Sequence, residues 1–335
     1  MHKPPLVKQA YRKLQHTIVR SGIIPGPLVL NIFTTNRCNF SCFYCSRNVE
    51  DDAPGVIHKY GDQSEFHIDD LKLLLDRYPT IRTVSFVGVG EPFLIKDLIP
   101  MARLAKQRGK STRVISNGSL LHKHWGEIAP NFDHISISLH GLTAEELTAI
   151  ALVKEKIFNQ FIDNFHYLLE HERKLNPAME VRSSVVVLKS NLERVRQAAH
   201  FCAENHIPIL ELQNYLPVGL DDSNECIFDN ETEYIDFVDQ LIEEYRGTVQ
   251  IVPPVYVKSD DKALKWGCTT YFDTLRVDGL GQVTGCTRIM VPLAENGNFR
   301  QDPNVWRNEY FTDMRRRFRE SKDLPECCRF CPAAQ

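Results

Sequence analysis

The stretch LVLNIFTTNRCNFSCFYC, residues 28–45, runs from a β-branched, strand-like segment into three cysteines, Cys38, Cys42 and Cys45, spaced by three and two intervening residues. Three thiolates with no fourth nearby suit a metal left open to a ligand, or an iron-sulfur cube with one unligated iron. A structural zinc knuckle is the other reading, and it would need a fourth ligand from elsewhere, such as His58 or His67.

Outward from this loop the same pattern repeats. Strand-like runs recur at residues 28–35, 82–88, 112–117, 134–140, 181–188 and 209–216. Between them lie segments such as IDDLKLLLDRY and NLERVRQAAHFCAENH, with apolar residues three and four apart. Six βα units in series predict a parallel sheet with helices packed outside it, either an open doubly wound sheet or a complete or partial barrel. In all of these the carboxyl ends of the strands carry the chemistry. The unusual residues fall there: the cysteine loop, then GVGEP (88–92), SNG (116–118) and SLHG (138–141).

Composition sets the boundaries. At 335 residues the chain is long enough for one large α/β domain with a small appendage. A net charge of -3 gives no global positive field for nucleic acid or anionic lipid. No stretch reaches the roughly 18 apolar residues of a spanning helix, and the N-terminus lacks the apolar core of a signal peptide, so a cytoplasmic protein is expected. The one dense basic run, Arg315-Arg316-Arg317, reads as the solvated face of a helix. Ten cysteines are many under reducing conditions, where clustered thiols point to metal or catalysis. Cys202 reads as a helix core residue, and Cys226 stands alone in the polar loop DDSNECIFDN.

The Cys38-x3-Cys42-x2-Cys45 loop, with Tyr44 before the last cysteine and a strand before the loop, resembles the signature of the radical S-adenosylmethionine (SAM) superfamily. The resemblance implies a partial (β/α)6 TIM barrel in which the three cysteines hold a 4Fe-4S cluster and SAM chelates the fourth iron. It also implies that Gly88, Val89, Gly90, Glu91 and Pro92 match the segment that binds the SAM amine, with Val89 where the family carries glycine. Ser116, Asn117, Ser136, Ser138 and His140 fall where family members place groups facing the SAM ribose and carboxylate. Family members often carry Asp at the position of His140, and a plain strand-end histidine is an equal reading there. Gln213 and Asn214 could face adenosine or substrate, or satisfy hydrogen bonds at the barrel top.

Beyond residue 247 the pattern changes. TLRVDGLGQVTGC (274–286) predicts a hairpin, a helix follows near 308–320, and the chain closes on PECCRFCPAAQ. Spacing alone leaves Cys268, Cys286, Cys328 and Cys331 open to a structural zinc or a fully ligated cluster. The hairpin with Gly281-x4-Cys286, the GNF tripeptide, a helix carrying Trp and the closing Cys328-x2-Cys331 resemble the α+β twitch domain, a shortened SPASM domain. The spacing is nearest that of the butirosin-type aminoglycoside dehydrogenase. The resemblance implies an auxiliary 4Fe-4S cluster on those four cysteines, with Cys327 spare or an alternative ligand. The expected division is an N-terminal helical extension (1–27), a radical SAM core (28–247) and a twitch domain (248–335).

The implied activity is cleavage of SAM to a 5'-deoxyadenosyl radical that abstracts hydrogen from a small-molecule substrate such as a sugar, a cyclitol or another natural product. Dehydrogenation would return an electron through the auxiliary cluster; epimerisation would need a hydrogen-atom donor, for which Cys226 is the candidate. Modification of a ribosomally made peptide, as a thioether or carbon-carbon crosslink, is the alternative. Only 37 residues precede Cys38, which tells against a leader-binding domain in cis and favours a small molecule or short peptide. A one-electron donor such as flavodoxin or ferredoxin is implied, with neither nucleic acid nor membrane as partner. A zinc-stabilised binding protein with two cysteine knuckles is the non-enzyme alternative.

Overall fold

The computed structural model describes residues 26–45, 64–88, 90–215, 223–257, 259, 268–286, 293–325 and 328. All but the last two residues of the expected N-terminal helical extension (1–27), together with His58, Val89, Cys327 and Cys331, lie outside the described residues. The strands are β1 (Val29–Phe33), β2 (Thr83–Val87), β3 (Ser111–Ser116), β4 (His134–Ser138), β5 (Glu180–Val187), β6 (Ile209–Asn214), β7 (Gln250–Val252), β8 (Thr274–Asp278), β9 (Gln282–Thr284) and β10 (Leu293–Asn298). The longer helices are α1 (Ile68–Arg77), α2 (Leu98–Gln107), α3 (Ala144–Ala151), α4 (Lys156–Tyr167), α5 (Leu192–Glu204), α6 (Thr232–Glu244) and α7 (Glu309–Glu320).

All ten strands form one sheet in the order β10-β9-β8-β1-β2-β3-β4-β5-β6-β7. Strands β1 to β7 run parallel in sequence order, as βα units require, and the sheet stays open as a partial barrel. Two features were not legible from periodicity: β7 extends the parallel series, and β8 pairs in parallel with β1, so the hairpin continues the same sheet. Arg300 fixes the hairpin's far end, its guanidinium donating two bonds of 2.8 and 2.7 Å to Asp70 on α1 and one to the Gly279 carbonyl.

One face of the sheet is apolar because it lies under the helices. Leu30, Ile32, Val84, Phe86, Ile135 and Ile137 are fully buried against helix residues such as Leu71, Leu74, Met101 and Phe161. Leu71, Leu74 and Leu75 follow the three-and-four spacing that turns one side of α1 to this core. The alternate residues, at period two, turn polar side chains to the other face. Asn31, Ser85, Arg113 and His134 are register partners on four neighbouring strands of that face.

The basic run divides where a solvated face had been expected throughout. Arg315 is buried, with its guanidinium 4.2 Å from the Trp306 ring centre. It donates to the Tyr271 and Trp306 carbonyls at 2.8 and 2.7 Å. Burial holds its pKa down at about 9. Helical spacing explains the split: Arg316 and Arg317 point away from the core and pair with Asp313 on the surface.

Candidate active site at the strand ends

The cysteine loop leaves β1 through Thr34 and Thr35, both buried, and is tied down on each side. The Ser41 and Phe43 N–H groups donate to the Ala151 and Ile150 carbonyls at the end of α3, at 2.9 and 3.0 Å. Phe40 is buried against Leu147 and Ala151 of the same helix. Within the loop the Phe40 N–H points to Cys38 Sγ at 3.4 Å and the Cys45 N–H to the Cys42 carbonyl at 2.9 Å. Among the described residues no three His, Cys, Asp or Glu side chains are gathered closely enough to hold a metal ion. The donor set still fits an iron-sulfur cluster in kind: three soft thiol ligands on one anchored loop, with the Phe40 N–H directed at the Cys38 sulfur.

The second motif is built onto the first. A Cβ at Gly90 would stand 2.3 Å from the Thr35 carbonyl oxygen and 2.4 Å from that of Arg37. Only glycine allows this approach, and the Glu91 N–H completes it by donating to the Arg37 carbonyl at 2.9 Å. Gly88 has φ +132°, and a Cβ there would meet the Phe33 ring at 2.8 Å. The Glu91 carboxylate is buried; it accepts from Ser116 Oγ at 2.8 Å, the Asn117 N–H at 2.8 Å and the Phe93 N–H at 3.1 Å. Burial outweighs those bonds and pushes its pKa up to about 7. Pro92 starts the short turn Pro92–Leu94 that leads away from the site.

Asn117 also closes a ring of side chains. Asn117 Nδ2 donates to Asn39 Oδ1 at 3.0 Å, Asn39 Nδ2 to Ser119 Oγ at 2.8 Å, and Ser119 Oγ to Asn117 Oδ1 at 2.7 Å. The ring clamps the cysteine loop to the end of β3, and Asn117 Nδ2 lies 3.9 Å from Cys38 Sγ. Sequence reasoning selected Ser116 and Asn117 but missed Asn39 and Ser119. Their only sequence signal is adjacency, Asn39 to Cys38 and Ser119 to Gly118, whose φ of +77° turns the chain there.

His140 comes to the opposite side of the loop. Its Nδ1 lies 2.7 Å from the Tyr44 hydroxyl and 3.9 Å from Cys42 Sγ, with Phe40 edge-on to the ring. Burial first, and then the charge of Arg194, hold the His140 pKa down at about 4, while burial raises that of Tyr44. The imidazole is therefore neutral near pH 7, and its tautomer sets the direction of the bond between Nδ1 and the Tyr44 hydroxyl. Arg194, at the start of α5, went unnoticed in the sequence; its Nε is buried without a hydrogen-bond partner among the described residues.

The remaining candidates separate. Ser136 is buried, its Oγ also without a hydrogen-bond partner among the described residues, and Ser138 sits half-buried at the end of β4. Gln213 is exposed at the end of β6. Asn214 is engaged in the backbone of the following loops: Nδ2 donates to the Ile227 and Val255 carbonyls at 2.9 and 3.2 Å, and Oδ1 accepts from the Ile227 N–H. Cys226 is buried with Leu188 and Tyr215 beside the Tyr44 ring, and its thiol donates to the Tyr215 carbonyl at 3.0 Å. Cys202 is fully buried in α5, where burial pushes its thiol up to about 12.

Of the tail cysteines, Cys268 and Cys286 are half-buried and Cys328 buried, all in one core with Tyr271. Burial first, and then Tyr310, Cys286 and Cys328, raise the pKa of Tyr271, while burial lowers that of Arg276 against the opposing effect of Cys286 and Cys268. Cys286 is thus common to the surroundings of the buried Tyr271 and Arg276.

Among proteins of known family, the Radical SAM superfamily model matches residues 32–202. The chain is 22% identical over 305 residues to the tungsten-containing aldehyde ferredoxin oxidoreductase cofactor-modifying protein of Pyrococcus furiosus, covering 84% of this chain and 81% of that one. It is 26% identical over 198 residues to a probable GTP 3',8-cyclase of Sulfolobus acidocaldarius, covering 57% of each, so it spans little more than half of that relative. Streptococcus suis SuiB bound to its precursor peptide SuiA has the same fold, with TM-score 0.66 and 14% identity, over 100% of this chain and 76% of SuiB. The structure of anSMEcpe with bound AdoMet superposes at TM-score 0.62 and 18% identity, over 91% of this chain and 85% of that one.

Proposed function

The chain belongs to the radical SAM superfamily, whose members are enzymes, and on that premise we propose that it cleaves SAM reductively and abstracts hydrogen from a small organic substrate. Members of the superfamily bind SAM and an iron-sulfur cluster; when bound, the pair supplies a 5'-deoxyadenosyl radical. The observation that carries the reading is Gly90 pressed against the Thr35 and Arg37 carbonyls, which makes the cysteine loop and the Gly88–Pro92 segment one unit.

In this reading Cys38, Cys42 and Cys45 hold the cluster. The backbone around Val89 and Gly90, with Glu91, receives the SAM amine. Ser116, Asn117, Ser136, Ser138 and Gln213 border the rest of SAM. Tyr44 and His140 shield the loop from water. The tail forms the twitch domain over 248–335, and Cys268, Cys286, Cys328 and Cys331 would hold an auxiliary cluster, which would supply an electron acceptor for dehydrogenation. Cys226 serves as hydrogen donor only if the outcome is epimerisation, which would require its thiol to leave the Tyr215 carbonyl. A second reading, modification of a peptide, draws on the shared fold with peptide-bound SuiB.

Anaerobic reconstitution tests the proposal. The protein should take up about eight irons, as two four-iron clusters, and form 5'-deoxyadenosine when reduced with SAM. Cys38→Ala should abolish that product, and Cys268→Ala should lower the iron content to about four. A colourless, zinc-loaded protein that leaves SAM intact would refute the reading.

A further inference from the structure

A parallel sheet is ordinarily covered on both faces by apolar packing, yet here only the helix side is. On the other face Asn31, Ser85, Arg113, His134 and Glu180 follow one another in register across β1 to β5, every one polar. A row of this kind belongs to a chamber and not to a core.

The charges on this face are unevenly matched. Arg182 bonds to both Glu180 and Glu211, the latter at 2.5 Å, and Glu180 faces His134 Nδ1 at 3.0 Å. Both carboxylates are thereby occupied. Arg113, next in the row, is exposed and has neither a carboxylate nor another hydrogen-bond acceptor in reach among the described residues. Ile115, on the same strand and face, is 47% exposed, which sets apolar surface beside the unmatched cation. Arg113 lies three residues before Ser116, about 10 Å along β3 from the strand end, and the odd spacing turns its side chain to the face opposite that of Ser116, which bonds to Glu91.

We propose that Arg113 binds an anionic group of the substrate, a carboxylate or a phosphate, on the uncovered face of the sheet, with the apolar part of the molecule against Ile115. The inference rests on the reading of the strand ends as the SAM site, since it takes the substrate to lie on the uncovered face within about 10 Å of the end of β3. The guanidinium fork suits either anion, because both accept two parallel N–H bonds.

The test uses the reconstituted protein with SAM and two probes, pyrophosphate and glutarate. Phenylglyoxal modification of Arg113, followed by peptide mass spectrometry, should be slowed at least tenfold by one probe; exposed Arg316 should be unprotected. Protection by pyrophosphate identifies a phosphate site, and protection by glutarate a carboxylate site. Direct titration of the protecting probe should weaken roughly tenfold to a hundredfold in Arg113→Gln and less in Arg113→Lys. Failure of both probes to protect Arg113, or equal binding by Arg113→Gln, would overturn the inference. Neither measurement needs turnover: absent protection with SAM cleavage intact refutes only the anion site, and absent cleavage with protection intact refutes only the proposed activity.

Discussion

The Asn117 backbone N–H donates to the Glu91 carboxylate at 2.8 Å, joining the ends of β3 and β2 where the carboxylate is buried. Its pKa of about 7, against an ordinary 4.5, means that the folded protein holds this proton more tightly than the unfolded chain does. The stabilisation is complete below the unfolded value and is lost as pH rises through the folded one. Without SAM, urea unfolding should therefore show roughly 2 to 3 kcal/mol lost from this group between about pH 5 and pH 8. Glu91→Gln, which cannot ionise, should flatten that part of the profile. A variant profile as steep as the parent's would refute the assignment.

Gly90→Ala should uncouple the two motifs. Its Cβ would fall 2.3 and 2.4 Å from two backbone carbonyl oxygens, so the cysteine loop must move. 5'-Deoxyadenosine formation should drop at least tenfold, since a misplacement of about 1 Å costs on the order of a hundredfold. Gly109 is the control: φ is +68° but nothing stands within 4 Å, so Gly109→Ala should cost only about 1 kcal/mol and leave cleavage intact.

Ser119→Ala breaks two of the three bonds in the Asn39-Ser119-Asn117 ring. Of the partners left behind Asn117 is buried and Asn39 exposed, so the loss should be about 1 kcal/mol in chemical unfolding, accompanied by slower SAM cleavage. An unchanged unfolding midpoint would show that the ring does not hold the loop.

Arg315→Met should destabilise the protein by about 3 kcal/mol, because it removes two charge-assisted bonds and the stack on Trp306. Arg316→Ala should cost less than about 0.5 kcal/mol, since its partners Asp313 and Glu320 are surface neighbours on the same helix. Comparable losses in the two variants would contradict the buried placement of Arg315.

The sequence by itself determined what is local. Alternation at period two and at three and four located β1 to β6 and their helices, and the spacing of Cys38, Cys42 and Cys45 with Gly88–Pro92 pointed to a candidate site at the strand ends. Such signals lie within one element, where geometry repeats along the chain. Tertiary structure alone decided what depends on distant partners. Asn39 meets Ser119 across 80 residues, Arg315 is buried because Trp306 and Tyr271 meet over it, and β8 lies beside β1. Asn214 and Gln213 were indistinguishable until the loops after β6 claimed the first. Arg113 reads in sequence as an ordinary strand arginine; its unmatched charge emerges only when Arg182 occupies Glu180 on β5 and Glu211 on β6, an arrangement set by register between strands and invisible to periodicity.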